Sequence, residues 1–157
     1  MLVSIVIPCY NSEHTIGKVV ELAIEEFSKM KDYECEFVLV NDFSRDGTWK
    51  SIQELTARHS NVKGINLAKN FGQHNAIMAG LNYTEGDLIL GMDDDMQNHP
   101  SQIPQFLDKI QEGYDIVFGV FKERKFSAFK NLTGAVSRFL LWHLLDRPKD
   151  IQMSSFW

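Results

Sequence analysis

Apolar runs of strand length alternate with amphipathic segments of helix length along most of this 157-residue chain. The first run, residues 2–7, is almost continuously apolar, which is typical of a strand buried on both faces of a parallel sheet. Further strands are predicted at residues 37–40, 62–67, 88–92 and 115–120, with helices between them. This alternation indicates βαβ units with right-handed crossovers, and therefore an α/β domain with a mostly parallel central sheet.

Charge and hydropathy exclude several classes of protein. The chain has 16 basic and 21 acidic residues and a net charge of −5, so we expect no nucleic-acid partner, because nonspecific nucleic-acid binding relies on basic surface. No apolar stretch reaches the roughly 20 residues that a membrane-spanning helix needs. The amino-terminal apolar run also lacks the basic flank of a signal peptide. We therefore expect a soluble or peripheral protein.

Three consecutive aspartates follow the predicted fourth strand. Residues 92–97 (Met-Asp-Asp-Asp-Met-Gln), called the acidic run below, lie at the carboxyl end of that strand, where open α/β sheets bind ligands. Alternate residues of an extended segment share a face, so Asp93, Asp95 and Gln97 are expected to converge while Asp94 points away. Carboxylate and amide oxygens suit Mg²⁺ or Mn²⁺. The acidic run thus predicts a metal-assisted nucleotide site, and its alternative is a solvated turn or helix cap.

Three other loops are expected to contribute to the same site. Pro8 and Tyr10 follow the first strand, and the tyrosine ring offers a flat face for a base. Asp42 follows the second strand and could accept a hydrogen bond from a base or ribose, although this loop also has the pattern of a turn and helix cap. Lys69 follows the third strand and could meet a phosphate, but a lone lysine is more often solvated. The chain has no glycine-rich phosphate loop or dinucleotide fingerprint.

Four motifs, at residues 5–11, 40–48 and 69–72 and in the acidic run, occur in order along the chain. Together they resemble the family 2 inverting glycosyltransferases with a GT-A fold, and the nearest branch is the dolichyl- or polyprenyl-phosphate sugar transferases. The resemblance covers essentially the whole chain. It implies a GT-A (Rossmann-like) three-layer sandwich with a mostly parallel central sheet.

The resemblance also implies how the chain is divided. Residues 1–121 would form the nucleotide-sugar-binding core, and residues 122–157 would begin a segment that faces the acceptor or the membrane. A helical apolar pattern over residues 126–145 fits either a core-packing helix or one that lies on a membrane. Because the chain stops at Phe156 and Trp157, with no polar tail, we expect it to be truncated there.

The resemblance assigns roles to individual residues. The nucleotide-sugar would be bound by Pro8, Tyr10, Asn11, Asp42, Lys69, Asp93 and Asp94. Asp93 and Asp95 would be catalytic, and Asp93, Asp95 and Gln97 would hold a Mg²⁺ or Mn²⁺ ion that neutralises the leaving nucleoside diphosphate. Arg124 and Lys130 would bind the acceptor.

The expected function is a metal-dependent inverting glycosyltransferase of the hexosyltransferase type that uses a UDP- or GDP-linked sugar. The expected acceptor is polyprenyl phosphate, reached by peripheral contact at the cytoplasmic face of the membrane. The chain departs from the family pattern at Asp94, where a small residue is usual, and at Phe121, where this branch commonly has an acceptor-binding arginine. Two alternatives stay open: transfer to a sugar hydroxyl in a cell-surface polysaccharide or glycolipid, and a non-catalytic nucleotide-binding module.

Overall fold

The computed structural model describes residues 1–119 and 156–157 of the chain. Its elements are β1 (Leu2–Cys9), α1 (Ile16–Ser28), β2 (Glu34–Asn41), α2 (Thr48–Arg58), β3 (Val62–Asn66), α3 (Gln73–Leu81), β4 (Leu88–Gly91), a 3₁₀ turn (Pro100–Gln102) and α4 (Ile103–Gln111). The first four predicted strands lie where the apolar pattern places them, although β2 begins at Glu34 rather than at Phe37.

The four strands form one parallel sheet in the order β3-β2-β1-β4. β1 lies inside the sheet: it pairs with β2 along its whole length and with β4 from Val3 to Val6. Its residues from Val3 to Cys9 are all buried, as the continuous apolar run predicts for a strand covered on both faces.

Successive side chains of β1 enter two different cores. Val3, Ile5 and Ile7 pack in the larger core, which also contains buried residues of α1, α2 and α4. Val6 packs in a smaller core with Val38, Val40 and Ala76 of α3. Helices therefore cover both faces of the sheet, and the predicted three-layer α/β arrangement is confirmed.

The predicted fifth strand, residues 115–120, is wrong for its described part. Residues 115–119 are irregular, and Gly119 donates its N–H to the carbonyl of Phe156 at 2.9 Å. At the carboxyl end of β4, Trp157 exchanges two backbone hydrogen bonds with Gly91, at 2.5 and 3.1 Å. The indole of Trp157 lies so close to Gly91 that a Cβ atom there would come within 2.6 Å of it. Residues 156 and 157 thus occupy the edge just before the acidic run.

Among the described residues, no helix has both the length and the apolar character needed to cross a bilayer. The helical pattern over residues 126–145 and most of the predicted acceptor-facing segment lie outside the described residues.

A buried carboxylate ties the amino-terminal end of the sheet to the turn that precedes β4. Glu36 of β2 accepts hydrogen bonds from the Ser4 hydroxyl at 2.5 Å and from the Glu85 N–H at 2.6 Å, and it pairs with Lys63 at 2.9 Å. Burial alone would raise the pKa of Glu36, but these three partners outweigh it and hold the pKa below its ordinary value.

This depressed pKa predicts a pH-dependent contribution to stability. The ionised form of Glu36 stabilises the fold above its unfolded-state pKa of about 4.3, and the contribution is lost as pH falls through the lower folded-state pKa. In urea unfolding, the difference in free energy between wild type and Glu36→Gln should shrink from about pH 6 to about pH 3. Glu34→Gln, at an exposed position on the same strand, is the control. A wild-type advantage that stays constant with pH would contradict the prediction.

The close approach of α3 to the sheet predicts a cost for one added methyl group. A Cβ atom at Gly80 would lie 2.6 Å from Val6 Cγ1 and 3.0 Å from Val40 Cγ2, whereas one at Gly17 of α1 would meet nothing within 4 Å. Gly80→Ala should therefore destabilise the protein by about 1–3 kcal/mol, although alanine favours helix. Gly17→Ala should be neutral or stabilising by up to about 1 kcal/mol. Chemical denaturation of both variants is the measurement, and equal stabilities would show that the packing argument is wrong.

Candidate functional site

A cavity of about 370 Å³ opens at the carboxyl-terminal edge of the sheet. Its walls are supplied by the last residues of β1, the loops after β1, β2 and β4, and the segment that leads into α3. It is lined by Pro8, Cys9, Tyr10, Asp42, Asn70, Gly72, Gln73, Asp93, Asp94 and Asp95. The structure therefore brings together six of the predicted site residues, which are Pro8, Tyr10, Asp42 and the three aspartates of the acidic run.

The acidic run bends instead of continuing as an extended strand. β4 ends at Gly91, residues 94–98 form bends, and Met96 has a positive φ of 64°. The prediction that Asp94 points away from its neighbours is therefore wrong, because alternation of faces holds only for extended backbone. Asp94 lines the cavity with Asp93 and Asp95, and its Oδ2 accepts a hydrogen bond from the Tyr10 N–H at 3.0 Å.

Gln97 is exposed and is not among the residues that line the cavity. Its backbone N–H donates to Asp95 Oδ1 at 2.9 Å, which closes a turn within the acidic run. Metal binding by Gln97 stays a prediction.

Burial changes the acidity of two groups in the cavity wall. It raises the pKa of Asp94, and the charge of Asp95 acts in the same direction, while the hydrogen bond from Tyr10 opposes them. Burial, followed by the charge of Asp94, raises the pKa of the Cys9 thiol well above its ordinary value. Cys9 is thus a neutral thiol near neutral pH and is unsuited to act as a nucleophile.

Asp42 has a structural task that the sequence did not predict. Its side chain is only 3% exposed, and its two oxygens accept hydrogen bonds from the backbone N–H groups of Phe71, at 2.7 Å, and Gly72, at 2.8 Å. Gly72 has φ +86°, a conformation that favours glycine. We call this pair of hydrogen bonds the Asp42 clamp. It fixes the loop that leads into α3 while the carboxylate still lines the cavity.

Asn11 joins two loops and does not line the cavity. Its N–H donates to Ser44 Oγ at 3.0 Å, and its Oδ1 accepts from the Arg45 N–H at 3.0 Å. Nearby, Asp46 Oδ1 accepts from the Thr48 N–H at 3.0 Å. The loop after β2 therefore forms a turn, which was the alternative to ligand binding for this part of the sequence.

Lys69 lies beside the Asp42 clamp. Its ammonium group is exposed and sits 4.9 Å from the centre of the half-exposed Phe71 ring, which is cation–π distance. Lys69 is not among the residues that line the cavity. Its predicted contact with the donor stays a prediction. The predicted acceptor-binding residues, Arg124 and Lys130, lie outside the described residues.

Two amide side chains that were not among the predicted site residues contact Asp93. Gln73 Nε2 donates to Asp93 Oδ1 at 2.8 Å, and Asn98 Nδ2 donates to Asp93 Oδ2 at 3.2 Å. Asn98 is 2% exposed. Glutamine and asparagine are common surface residues, so neither position carried a signal that sequence patterns could detect.

The donor atoms in the cavity suit a divalent cation. Asp93, Asp94 and Asp95 offer hard carboxylate oxygens, and within the described part of the chain no lysine or arginine lines the cavity to neutralise them. Over that same part, no three acidic, histidine or cysteine side chains stand close enough to share one ion. The carboxylates therefore fit a metal by their chemistry, with oxygens left for a bound ligand to supply.

Comparison with known proteins gives a family and a fold. Residues 4–153 match the model of glycosyl transferase family 2. The undecaprenyl-phosphate 4-deoxy-4-formamido-L-arabinose transferase of Shewanella sediminis (strain HAW-EB3) is 39% identical over 156 residues, which cover 98% of this chain and 45% of that protein. The chain therefore spans less than half the length of this curated relative.

Two solved structures share the architecture. Glucosyl-3-phosphoglycerate synthase from Mycobacterium tuberculosis, in complex with UDP, matches with a TM-score of 0.66 and 24% identity over 98% of this chain and 55% of that chain. A mannosyltransferase from Pyrobaculum calidifontis, in complex with GDP-Man and Mn²⁺, matches with a TM-score of 0.51 and 23% identity over 59% of this chain and 27% of that chain. These neighbours confirm the predicted GT-A (Rossmann-like) fold.

The Asp42 clamp predicts a local effect of a single-atom change. Asp42→Asn turns one acceptor into an NH₂ group that would face a backbone N–H, so we expect a loss of about 1–3 kcal/mol in unfolding free energy. Amide hydrogen exchange at Phe71 and Gly72 should become faster than in wild type. Asp108→Asn, at an exposed position of α4, is the matched control. Unchanged protection of both amides in Asp42→Asn would contradict the assigned role.

Proposed function

The chain belongs to glycosyl transferase family 2, and we propose that it is the donor-binding part of a metal-dependent inverting glycosyltransferase whose acceptor is polyprenyl phosphate. The observation that carries the proposal is the cavity in which three adjacent carboxylates meet Tyr10 and Asp42. Its position at the carboxyl edge of a parallel sheet is where α/β folds bind ligands, and its volume is in the usual range for small-molecule sites.

The donor in this proposal is a nucleotide-diphospho-sugar. Tyr10 is half exposed at the cavity and presents a ring on which a base can stack, next to Pro8. The Mycobacterium tuberculosis neighbour is a complex with UDP, and the Pyrobaculum calidifontis neighbour is a complex with GDP-Man. Both a UDP- and a GDP-linked sugar therefore stay candidates.

Electrostatics favour a cation in the same site. Within the described part of the chain, four aspartates and no basic side chain line the cavity, so a diphosphate would be repelled unless positive charge accompanied it. Asp93 and Asp95 would hold Mg²⁺ or Mn²⁺, with Gln97 as the predicted third ligand. When bound, the ion supplies Lewis-acid neutralisation of the charge on the departing nucleoside diphosphate. The Mn²⁺ in the Pyrobaculum calidifontis complex supports the choice of a divalent cation.

The remaining residues position the donor rather than exchange protons. Asp42 is engaged with Phe71 and Gly72, Asp94 with Tyr10, and Cys9 is a neutral thiol. Such a site suits an acceptor that already carries a negative charge, because a phosphate oxygen can attack the anomeric carbon with inversion and little or no help from a base. Positioning and electrostatics would supply most of the rate acceleration.

Among acceptors that already carry a negative charge, the relatives support a lipid phosphate. The Shewanella sediminis relative is named as a transferase to undecaprenyl phosphate. Because such an acceptor resides in a membrane, the proposal includes peripheral contact with the cytoplasmic face. Arg124 and Lys130 are the proposed contacts with the acceptor phosphate.

The donor site can be tested by calorimetric titration of UDP, GDP and their sugar conjugates into the 157-residue chain, first with Mn²⁺ and then with EDTA. We expect metal-dependent binding of one nucleotide, weakened at least about tenfold in Asp95→Ala because a carboxylate facing the ion is lost. Asp108→Ala, an exposed aspartate of α4, should bind as wild type does. If the folded wild-type chain bound neither nucleotide, the proposal would fail. Transfer of the sugar to undecaprenyl phosphate, and not to a sugar hydroxyl, is the readout for the acceptor.

A further inference from the structure

We propose that Gln73 and Asn98 are positioning residues that fix the carboxylate of Asp93 in the orientation in which it receives the donor and its cation. This inference rests on the proposed function. The two amides approach the carboxylate from separate parts of the chain, one on each oxygen: Gln73 Nε2 lies 2.8 Å from Oδ1 and Asn98 Nδ2 lies 3.2 Å from Oδ2. A carboxylate held at both oxygens cannot rotate about its last bond without breaking one of these contacts.

The position of Gln73 is fixed through the backbone. Gln73 is the first residue of α3, directly after Gly72, whose N–H is held by the Asp42 clamp at 2.8 Å. The carbonyl of Gly72 accepts from the N–H groups of Asn75 and Ala76, both at 3.1 Å, and so begins the helix. A continuous chain of contacts therefore runs from Asp42 at the end of β2, through Gly72 and Gln73, to Asp93 after β4.

The second donor is fixed by burial. Asn98 is 2% exposed, so its amide has little access to water and depends on protein partners. It follows the bends of the acidic run, which return the chain towards Asp93. The two donors thus hold Asp93 from the α3 side and from the far end of the acidic run.

Both side chains that donate to Asp93 are neutral amides, and this affects how its carboxylate can bind a ligand. Amides are neutral, so they orient the carboxylate without cancelling its charge, whereas a lysine or arginine would form an ion pair and compete with a cation. Each carboxylate oxygen has two lone-pair sites, and each amide proton takes one of them. Neither amide therefore cancels the charge of Asp93, which lines the cavity, or takes up more than one acceptor site of the oxygen that it contacts. A preoriented ligand group of this kind loses little entropy when the donor binds.

The test separates orientation from folding by changing Gln73, which is exposed. Gln73→Met keeps the length of the side chain but removes its donor. In the 157-residue chain, nucleotide affinity is measured by calorimetry with Mn²⁺ and with EDTA, and Mn²⁺ affinity by electron paramagnetic resonance of the free ion. We expect the Mn²⁺-dependent part of the affinity to fall by about 10–100-fold, the effect usual for partners that orient a ligand group, with an unchanged thermal transition. Gln105→Met, an exposed glutamine of α4, should behave as wild type.

Asn98→Ala and the double variant complete the test. Because both amides act through one carboxylate, the losses caused by Gln73→Met and Asn98→Ala should be clearly non-additive. Additive losses, or an unchanged Mn²⁺ dependence in Gln73→Met, would overturn the positioning role and leave the proposed function in place. If the wild-type chain itself showed no Mn²⁺-dependent nucleotide binding, the proposed function would fail and the positioning role with it.

Discussion

The site depends on how β1 is paired with its two neighbours. β1 is paired with β2 up to Cys9, opposite Asn41, but with β4 only up to Val6, opposite Gly91. β4 therefore ends before β1 does, and the chain that follows it runs beside the last residues of β1. Met92 still donates its N–H to the carbonyl of Val6 at 3.1 Å. This unequal pairing places the acidic run against the loop after β1, so that Asp94 can reach the N–H of Tyr10.

Polar side chains at this edge serve the backbone as well as the cavity. Loops lack the regular hydrogen bonds of strands and helices, so their N–H groups must find other partners. Asp42 accepts hydrogen bonds from two of these N–H groups in the segment before α3. Asn11 accepts one from Arg45, and Asp46 accepts one from Thr48. The same residue types that a sequence motif offers for ligand binding are therefore partly used to hold the loops in place. The acidic run shows the same double use, because all three carboxylates line the cavity while Asp94 and Asp95 also accept backbone N–H groups.

The sequence predicts the sheet well because burial on both faces leaves a continuous apolar run, as in residues 2–7. It also predicts that the loops after β1, β2 and β4 meet, since parallel strands end at one edge. It fails where the backbone departs from regular geometry. The acidic run bends over residues 94–98, Met96 within it has a positive φ, and no pattern in the sequence marks that residue as left-handed. It also fails for Gln73, whose partner Asp93 lies 20 residues away and is reached only in the folded chain. The pairing of Trp157 with Gly91 is invisible for the same reason.

The electrostatics of the cavity link its stability to its proposed function. The carboxylates of Asp93, Asp94 and Asp95 are adjacent in sequence, and the pKa of Asp94 is raised mainly by its burial, with a smaller contribution from the charge of Asp95. Neutral donors contact each member of the cluster: two amides on Asp93 and backbone N–H groups on Asp94 and Asp95. These donors do not remove the negative charge. In the proposed function, a cation that enters with a diphosphate would reduce the repulsion between these carboxylates. If the proposed metal–nucleotide site is correct, the protein gives up some stability when it is alone in exchange for affinity towards that ligand, as is common where function requires like charges to lie together.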